Sequence, residues 1–350
     1  MKPAESNVST LDRAPLPAVI ESKQSPKPQP HIALILPLGS KSLGVLSEAV
    51  KQGFIAGVNT DSKEAPPYRL YSIDNEGDAL AQAYRKAAKE GAIAIVAGLT
   101  RDGAAQIVRE SGHLPTLSLN APAETELPHQ FYFFSLAIDV EARQAAQFAK
   151  STCHRAIIVV SPSALTKRIQ EGFEKQWIQL GGEIVARITF SDANDTTTIR
   201  SSVRRAKAEC VFLAADAWSA RTIRPYLPTG MAVYATSLAY DARADQITNV
   251  DLESVKLLDM PWFVRPDHPA VMIYARKAPM LSVDQGRLYA LGIDAWRLIQ
   301  QVLAYKTAIP PLDGVTGQLA LDGSGHEFIR TLTAVEFRNG KIEPLMPSTE

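Results

Sequence analysis

From His31 onward, short apolar runs alternate with amphipathic stretches for most of the chain, and no other feature of the sequence restricts the fold so strongly. Runs such as Ile32–Leu36 and Ile93–Ala97 are apolar throughout, as strands buried on both faces are. The stretches between them carry apolar residues at three- and four-residue steps, the period of a helix with one buried face. Strand, crossover helix, strand is the rhythm of a parallel sheet. Ile32–Leu36 reads as the first strand and Ser40–Asn59 as its helix, with Leu43, Leu46, Val50, Phe54 and Val58 on one face and Ser40 as N-cap. Gly53 and Gly57 would let that helix sit close on the sheet. Tyr68–Ile73, Glu76–Lys89, Ile93–Ala97, Arg101–Ser111 and Pro115–Leu119 continue the series.

A second series starts near Arg155 with the strand Ala156–Val160. The helix Ser163–Leu180 follows, closed by Gly181 and Gly182, and the alternation runs on to Ala232–Thr236. Asp284–Tyr305 reads as a long helix with too few strands after it to build a third sheet, so it must dock on an existing half. Gly317–Leu321 and Thr333–Phe337 read as a terminal hairpin-like pair. The chain has 350 residues, and at roughly 150 residues per domain that gives about two domains. The expected fold is therefore α/β, with two doubly wound parallel-sheet lobes joined by multiple crossovers. Residues 1–30 form a proline-rich tether without apolar pattern; residues 31–134 plus 262–308 form lobe 1, and residues 135–261 plus 309–345 form lobe 2.

Composition narrows the function. Lys plus Arg and Asp plus Glu each number 37, so no net charge draws the chain to nucleic acid or anionic lipid. No apolar run approaches the roughly 20 residues of a membrane span, so no transmembrane segment is expected. The tether lacks an apolar leader core and a lipid-accepting cysteine, which fits either a cytoplasmic chain or one whose export segment lies elsewhere. The chain contains no Walker loop, G-x-G-x-x-G, G-x-S-x-G, H-E-x-x-H or S-x-x-K, and its six histidines are scattered. No catalytic residue, metal or cofactor is expected.

In open parallel sheets, ligands bind beyond the carboxyl ends of the strands, near free N–H groups of helix N-termini. The residues there are Ser40, Leu99, Thr100 and Asn120 in the first half, Ser163, Asp216 and Trp218 in the second, and Ser135 and Trp262 on the crossings. Ser40, Thr100 and Asn120 are placed to hold a small carboxylate, Asp216 to pair with an amine, and Trp218 or Trp262 to close over it. The competing reading, and the favoured one, makes Ser40, Thr100 and Asp216 helix caps. Cys153 and Cys210 precede strands that neighbour each other in a 2-1-3-4 order, within disulfide reach. Two reduced, buried thiols are the favoured alternative, because cross-strand pairs within one sheet are often badly oriented.

The element order resembles the type I periplasmic binding protein fold. Six strings in order narrow the likeness: His31–Leu38 (HIALILPL), Asp139–Ala146 (DVEARQAA), Val233–Ser237 (VYATS), Asp259–Trp262 (DMPW), Arg287–Ala295 (RLYALGIDA) and Gly314–Asp322 (GVTGQLALD). Together they are similar to the carboxy-terminal domain of the LpoA-type lipoprotein activators of penicillin-binding proteins. The resemblance implies an exported, non-catalytic periplasmic protein, held at the outer membrane through a lipidated segment not in this chain. Its implied partner is a class A penicillin-binding protein, a peptidoglycan synthase. The chain departs from the longer members in lacking their amino-terminal helical-repeat domain and in a short stretch between Arg224 and Val233. The second reading is a receptor for a small amino acid-like ligand in the cleft, which an activator would instead fill with Trp262, Trp218 or Leu99. An enzyme is the third.

Overall fold

The computed structural model describes residues 28–60, 65–274, 282–305 and 308–345. Of the expected tether, residues 1–27 lie outside the described residues. The first sheet and its helices comprise β1 (His31–Leu36), α1 (Gly44–Thr60), β2 (Tyr68–Ser72), α2 (Asp78–Lys89), β3 (Ala92–Ala97), α3 (Arg101–Glu110), β4 (Thr116–Ser118) and β5 (Phe131–Phe133). Its order is β2-β1-β3-β4-β5 and every pairing is parallel. β1 is buried along its length because it feeds two cores. Ile32, Leu34 and Leu36 pack toward α1, whereas Ala33 and Ile35 pack toward α2 and α3.

The second sheet draws on α4 (Ile138–Lys150), β6 (Arg155–Val160), α5 (Ala164–Gln179), β7 (Glu183–Thr189), α6 (Thr196–Ala206), β8 (Cys210–Ala214), α7 (Ala217–Ile223), β9 (Ala232–Thr236) and β10 (Val255–Asp259). After the short helices α8 (Pro261–Val264) and α9 (Pro269–Met272), the long α10 (Val283–Ala304) packs along α1. Three short strands, β11 (Leu312–Asp313), β12 (Gln318–Leu321) and β13 (Phe328–Thr331), form a small antiparallel sheet whose Leu319 and Phe328 join the first core. The chain then returns through β14 (Thr333–Arg338) and β15 (Lys341–Pro344) to the second sheet, ordered β15-β14-β10-β9-β8-β6-β7. It thus passes between the sheets after β5, after β10 and around Leu332, so this is an α/β architecture of two main sheets joined by several crossings.

Several local expectations change. A turn at residues 41–43 precedes α1, so Ser40 stands outside the helix and accepts a hydrogen bond from the Leu43 N–H at 3.3 Å. Gly53 and Gly57 serve a helix contact and not the sheet: they abut the Tyr289 backbone and the Trp296 ring, because α10 lies alongside α1. Gly317–Leu321 and Thr333–Phe337 are not partners, since β12 pairs with the overlooked β13 while β14 pairs with β10 and β15. β13 escapes a hydropathy reading because the charged Arg330 occupies one of its two buried positions, beside Phe328. Cys153 and Cys210 are joined as a disulfide across a Cα separation of 6.3 Å. The reduced-thiol reading fails because Cys153 lies in the turn before β6, free of the pleat that misdirects pairs inside a sheet. The sequence separation of 57 residues corresponds to about 4 kcal/mol of chain-entropy stabilisation.

Candidate functional site

At the carboxyl end of the first sheet the chain supplies its own anion. Thr100 is the N-cap of α3, its Oγ1 accepting from the Gly103 N–H at 3.0 Å. The buried carboxylate of Glu76 accepts from the Leu99 N–H at 2.7 Å, the Thr100 N–H at 2.7 Å and the Thr100 hydroxyl at 2.6 Å. A helix N-terminus has unspent N–H groups and a favourable dipole for such a charge. Asn120 donates its Nδ2–H to the Leu99 carbonyl at 3.0 Å and accepts on Oδ1 from the Ala121 N–H at 3.0 Å. The fold therefore brings Leu99, Thr100 and Asn120 together around an internal carboxylate and leaves Ser40 on its own turn.

The nominated residues of the second half stay apart. Ser163 closes a capping box on α5 with Thr166, and Asp216 caps α7 by accepting from the Ser219 N–H at 2.9 Å. Ser163 also lines an open groove of about 510 Å³ with Lys167 and Arg187, beside the edge strand β7. Trp218 is 57% exposed and only leans on Phe190, ring centroids 6.0 Å apart. Ser135 is half-buried on the crossing after β5. Trp262 is buried, packs on Tyr289 of α10 at 5.4 Å and donates its backbone N–H to the Val315 carbonyl at 2.9 Å. It belongs to a continuous apolar cluster running from the second sheet through Met260 to Ala290 and Ile293 of α10.

The most concentrated buried charge lies where α4, α10, β10 and β13 converge, beside a cavity of about 360 Å³. Arg287 grips Asp259 with both arms, Nη1 to Oδ1 at 2.6 Å and Nη2 to Oδ2 at 3.0 Å, and stacks over Phe263. Asp259 also accepts from the Tyr240 hydroxyl at 2.6 Å and the Met260 N–H at 2.7 Å. Glu141 accepts from the Ser237 N–H and, at 3.1 Å, from its hydroxyl. Arg330 is 3% exposed, and among the described residues its Nε and Nη1 have no hydrogen-bond partner. Burial pushes the Glu141 carboxyl and the Tyr240 hydroxyl above their ordinary values and the Arg330 guanidinium below its own. Close by, Asp294 of α10 accepts from the N–H groups of Val315 and Thr316 at 3.0 and 2.8 Å and from the Thr316 hydroxyl at 2.6 Å, tying α10 to the returning chain.

None of these charged residues was nominated from the sequence. A signal was nonetheless present, because Glu141, Ser237, Asp259, Arg287, Asp294, Val315 and Thr316 all fall within the six strings quoted above. Among the described residues, no group of three or more His, Cys, Asp or Glu is arranged to hold a metal ion, and no helix is long and apolar enough to cross a membrane.

Known proteins share this architecture. A solved structure titled a putative branched-chain amino acid ABC transporter, from Chromobacterium violaceum, is 34% identical at a TM-score of 0.78, covering 88% of this chain and 100% of that one. The carboxy-terminal domain of LpoA (YraM) from Haemophilus influenzae, titled a regulator of PBP1A, is 22% identical at a TM-score of 0.75, covering 90% of this chain and 100% of that domain. The penicillin-binding protein activator LpoA of Histophilus somni is 26% identical over 330 residues, 90% of this chain and 54% of that protein. The chain spans about half the length of the curated relatives it matches. The family described as "LppC putative lipoprotein" matches residues 18–204 and 196–340, so nearly the whole sequence is accounted for and this chain belongs to that family.

Proposed function

We propose that this chain regulates a penicillin-binding protein by direct contact, without chemistry of its own. The observation that carries the reading is the full-domain correspondence with the Haemophilus influenzae regulatory domain, together with curated relatives named penicillin-binding protein activators. Two features of the chain support it. The loops of the first sheet spend their donors on Glu76, and Trp262 fills the junction between the halves, so neither needs a solute. The disulfide suits an oxidising compartment, and with the lipoprotein name of the family it supports a periplasmic address with an outer-membrane anchor. The partner is a class A peptidoglycan synthase, and the contact surface is the outside of the lobes.

The test is retention of the folded chain by the immobilised periplasmic part of a class A penicillin-binding protein, followed by its transpeptidation rate with and without the chain. Retention at micromolar concentration and a faster rate are expected; a folded chain that passes through unretained overturns the proposal. The 34% identical structure with the transporter title favours a second reading, a receptor for an amino acid. Leucine at a hundred times its dissociation constant would then stabilise the chain by about 2.7 kcal/mol, a rise that a thermal melt detects.

A further inference from the structure

We infer that the face of the second half formed by α6, α7 and the two turns beside them is the surface on which this chain holds its penicillin-binding protein. The inference rests on the contact reading given above and names the place that reading leaves open. Ile199 and Val203 of α6, Ile223 of α7, Leu227 and Leu252 are all buried in one core on one side of the second sheet. The turn Arg224–Tyr226 packs on α6, and the turn Val250–Leu252 packs on both α7 and the first turn. The Arg224 Nε–H ties the two turns together by donating to the Glu253 carbonyl at 2.8 Å. What these elements leave outside is one continuous, firmly backed surface.

Four large apolar side chains stand out of it: Trp218 (57% exposed), Tyr226 (42%), Val250 (51%) and Ile247 (83%). Single exposed apolar residues are ordinary, whereas a group on adjoining elements marks an interaction site. To these α6 adds Arg200 and Arg204, exposed one turn apart on the same side. Among the described residues neither reaches a carboxylate, while Arg187 is paired with Glu174 at 2.8 Å and Arg243 with Asp241 at 3.2 Å. Arg204 lies in the last turn and suits the helix dipole; Arg200 stands mid-helix and gains nothing from it. Trp, Tyr and Arg are the residues that carry most of the energy of protein contacts. The acidic neighbours choose the kind of partner. Asp216, Asp245 and Asp251 are exposed beside Trp218, Ile247 and Val250, and they would repel an anionic bilayer from the side chains that must enter it. A protein can set cations against those three and carboxylates against α6. The other side of the sheet carries α4, α5 and the junction with α10, so a partner seated here leaves the junction uncovered.

The experiment measures the affinity of the folded chain for the immobilised periplasmic part of a class A penicillin-binding protein. Reversing both charges, Arg200→Glu with Arg204→Glu, and separately removing the ring, Trp218→Ala, should each weaken binding by about tenfold or more. Val45→Ser with Lys89→Glu, exposed on α1 and α2, should leave it unchanged. A parent chain that is not retained overturns the contact reading and this inference together; a retained parent whose face variants bind equally well overturns this inference alone. Hydrogen exchange of the unaltered chain is the arm that needs no variant: slowing over residues 196–227 and 247–252 on adding the partner supports the face, and slowing only elsewhere refutes it. Sedimentation of the parent with phosphatidylglycerol vesicles, or a dimer of the parent, either one abolished by the same variants, would assign the face to a membrane or a second copy and overturn the inference.

Discussion

Glu76 and Arg330 are both buried charges beside the junction of the two halves, yet they are answered in opposite ways. The carboxylate of Glu76 meets three donors, two of them backbone N–H groups at the start of α3, so its desolvation is repaid within one loop. The guanidinium of Arg330 arrives on a strand two residues from Phe328, surrounded by carboxylates that are already engaged. The contrast teaches that a donor-rich loop at the end of a parallel sheet need not be a ligand site, because the chain can fill it.

Removing Glu76 should give the largest effect. Glu76→Ala strands the N–H groups of Leu99 and Thr100 and is expected to cost about 3 kcal/mol, two charge-assisted bonds of roughly 1.5 kcal/mol or more each. The urea midpoint at neutral pH reads it. Acetate should restore part of the loss in Glu76→Ala and do nothing to Glu76→Gln, which keeps an acceptor in place. A Glu76→Ala chain as stable as its parent would show that water or a rearranged loop serves those donors equally well.

Arg330→Met should move stability the other way. The substitution keeps much of the side-chain volume, removes an unpaired buried charge and is expected to stabilise the chain by about 1 kcal/mol near pH 6. Urea melts of the parent and variant check it, and a loss beyond about 1 kcal/mol would mean that Arg330 is answered in solution. Opposite signs at positions 76 and 330 would sharpen the comparison; equal signs would break it.

The sequence makes the strand–helix alternation legible because strands buried on both faces, such as β1 and β8, leave unbroken apolar runs. Very short or mixed elements are not legible. β5 has three residues held by the neighbouring β4, and β13 hides behind Arg330. The loops beyond the strand ends were identified from sequence, and Leu99, Thr100 and Asn120 do meet there. Glu76 reads as the start of a helix, and nothing local in the sequence says that its side chain crosses 23 residues to bond Leu99. The buried charges near Arg287 are invisible to periodicity for a simpler reason: they come from four separate elements, and only the tertiary fold makes them neighbours.

Glu141 offers the smallest and most discriminating test. It faces Arg287 of α10, Asp259 of β10 and Arg330 of β13, with Tyr240 close by, and burial outweighs the two cations to hold its carboxyl above the ordinary value of 4.5. The folded chain therefore keeps the Glu141 proton to a higher pH than the unfolded chain does. Between the unfolded and folded values the native state binds more protons, so stability must fall as pH rises through that window and level off above it. Glu141→Gln lacks the titration but still offers an acceptor to the Ser237 N–H. Subtracting its urea midpoints from those of the parent across pH 4 to 8 cancels the groups that do not interact with Glu141, such as Asp139 and Glu174, whose lowered values act with the opposite sign. A difference that declines with pH is expected, and a flat one would mean that the cations around Glu141 fully offset its burial. In Arg330→Met the decline should extend to higher pH, because one of the two cations that favour the ionised carboxylate is gone.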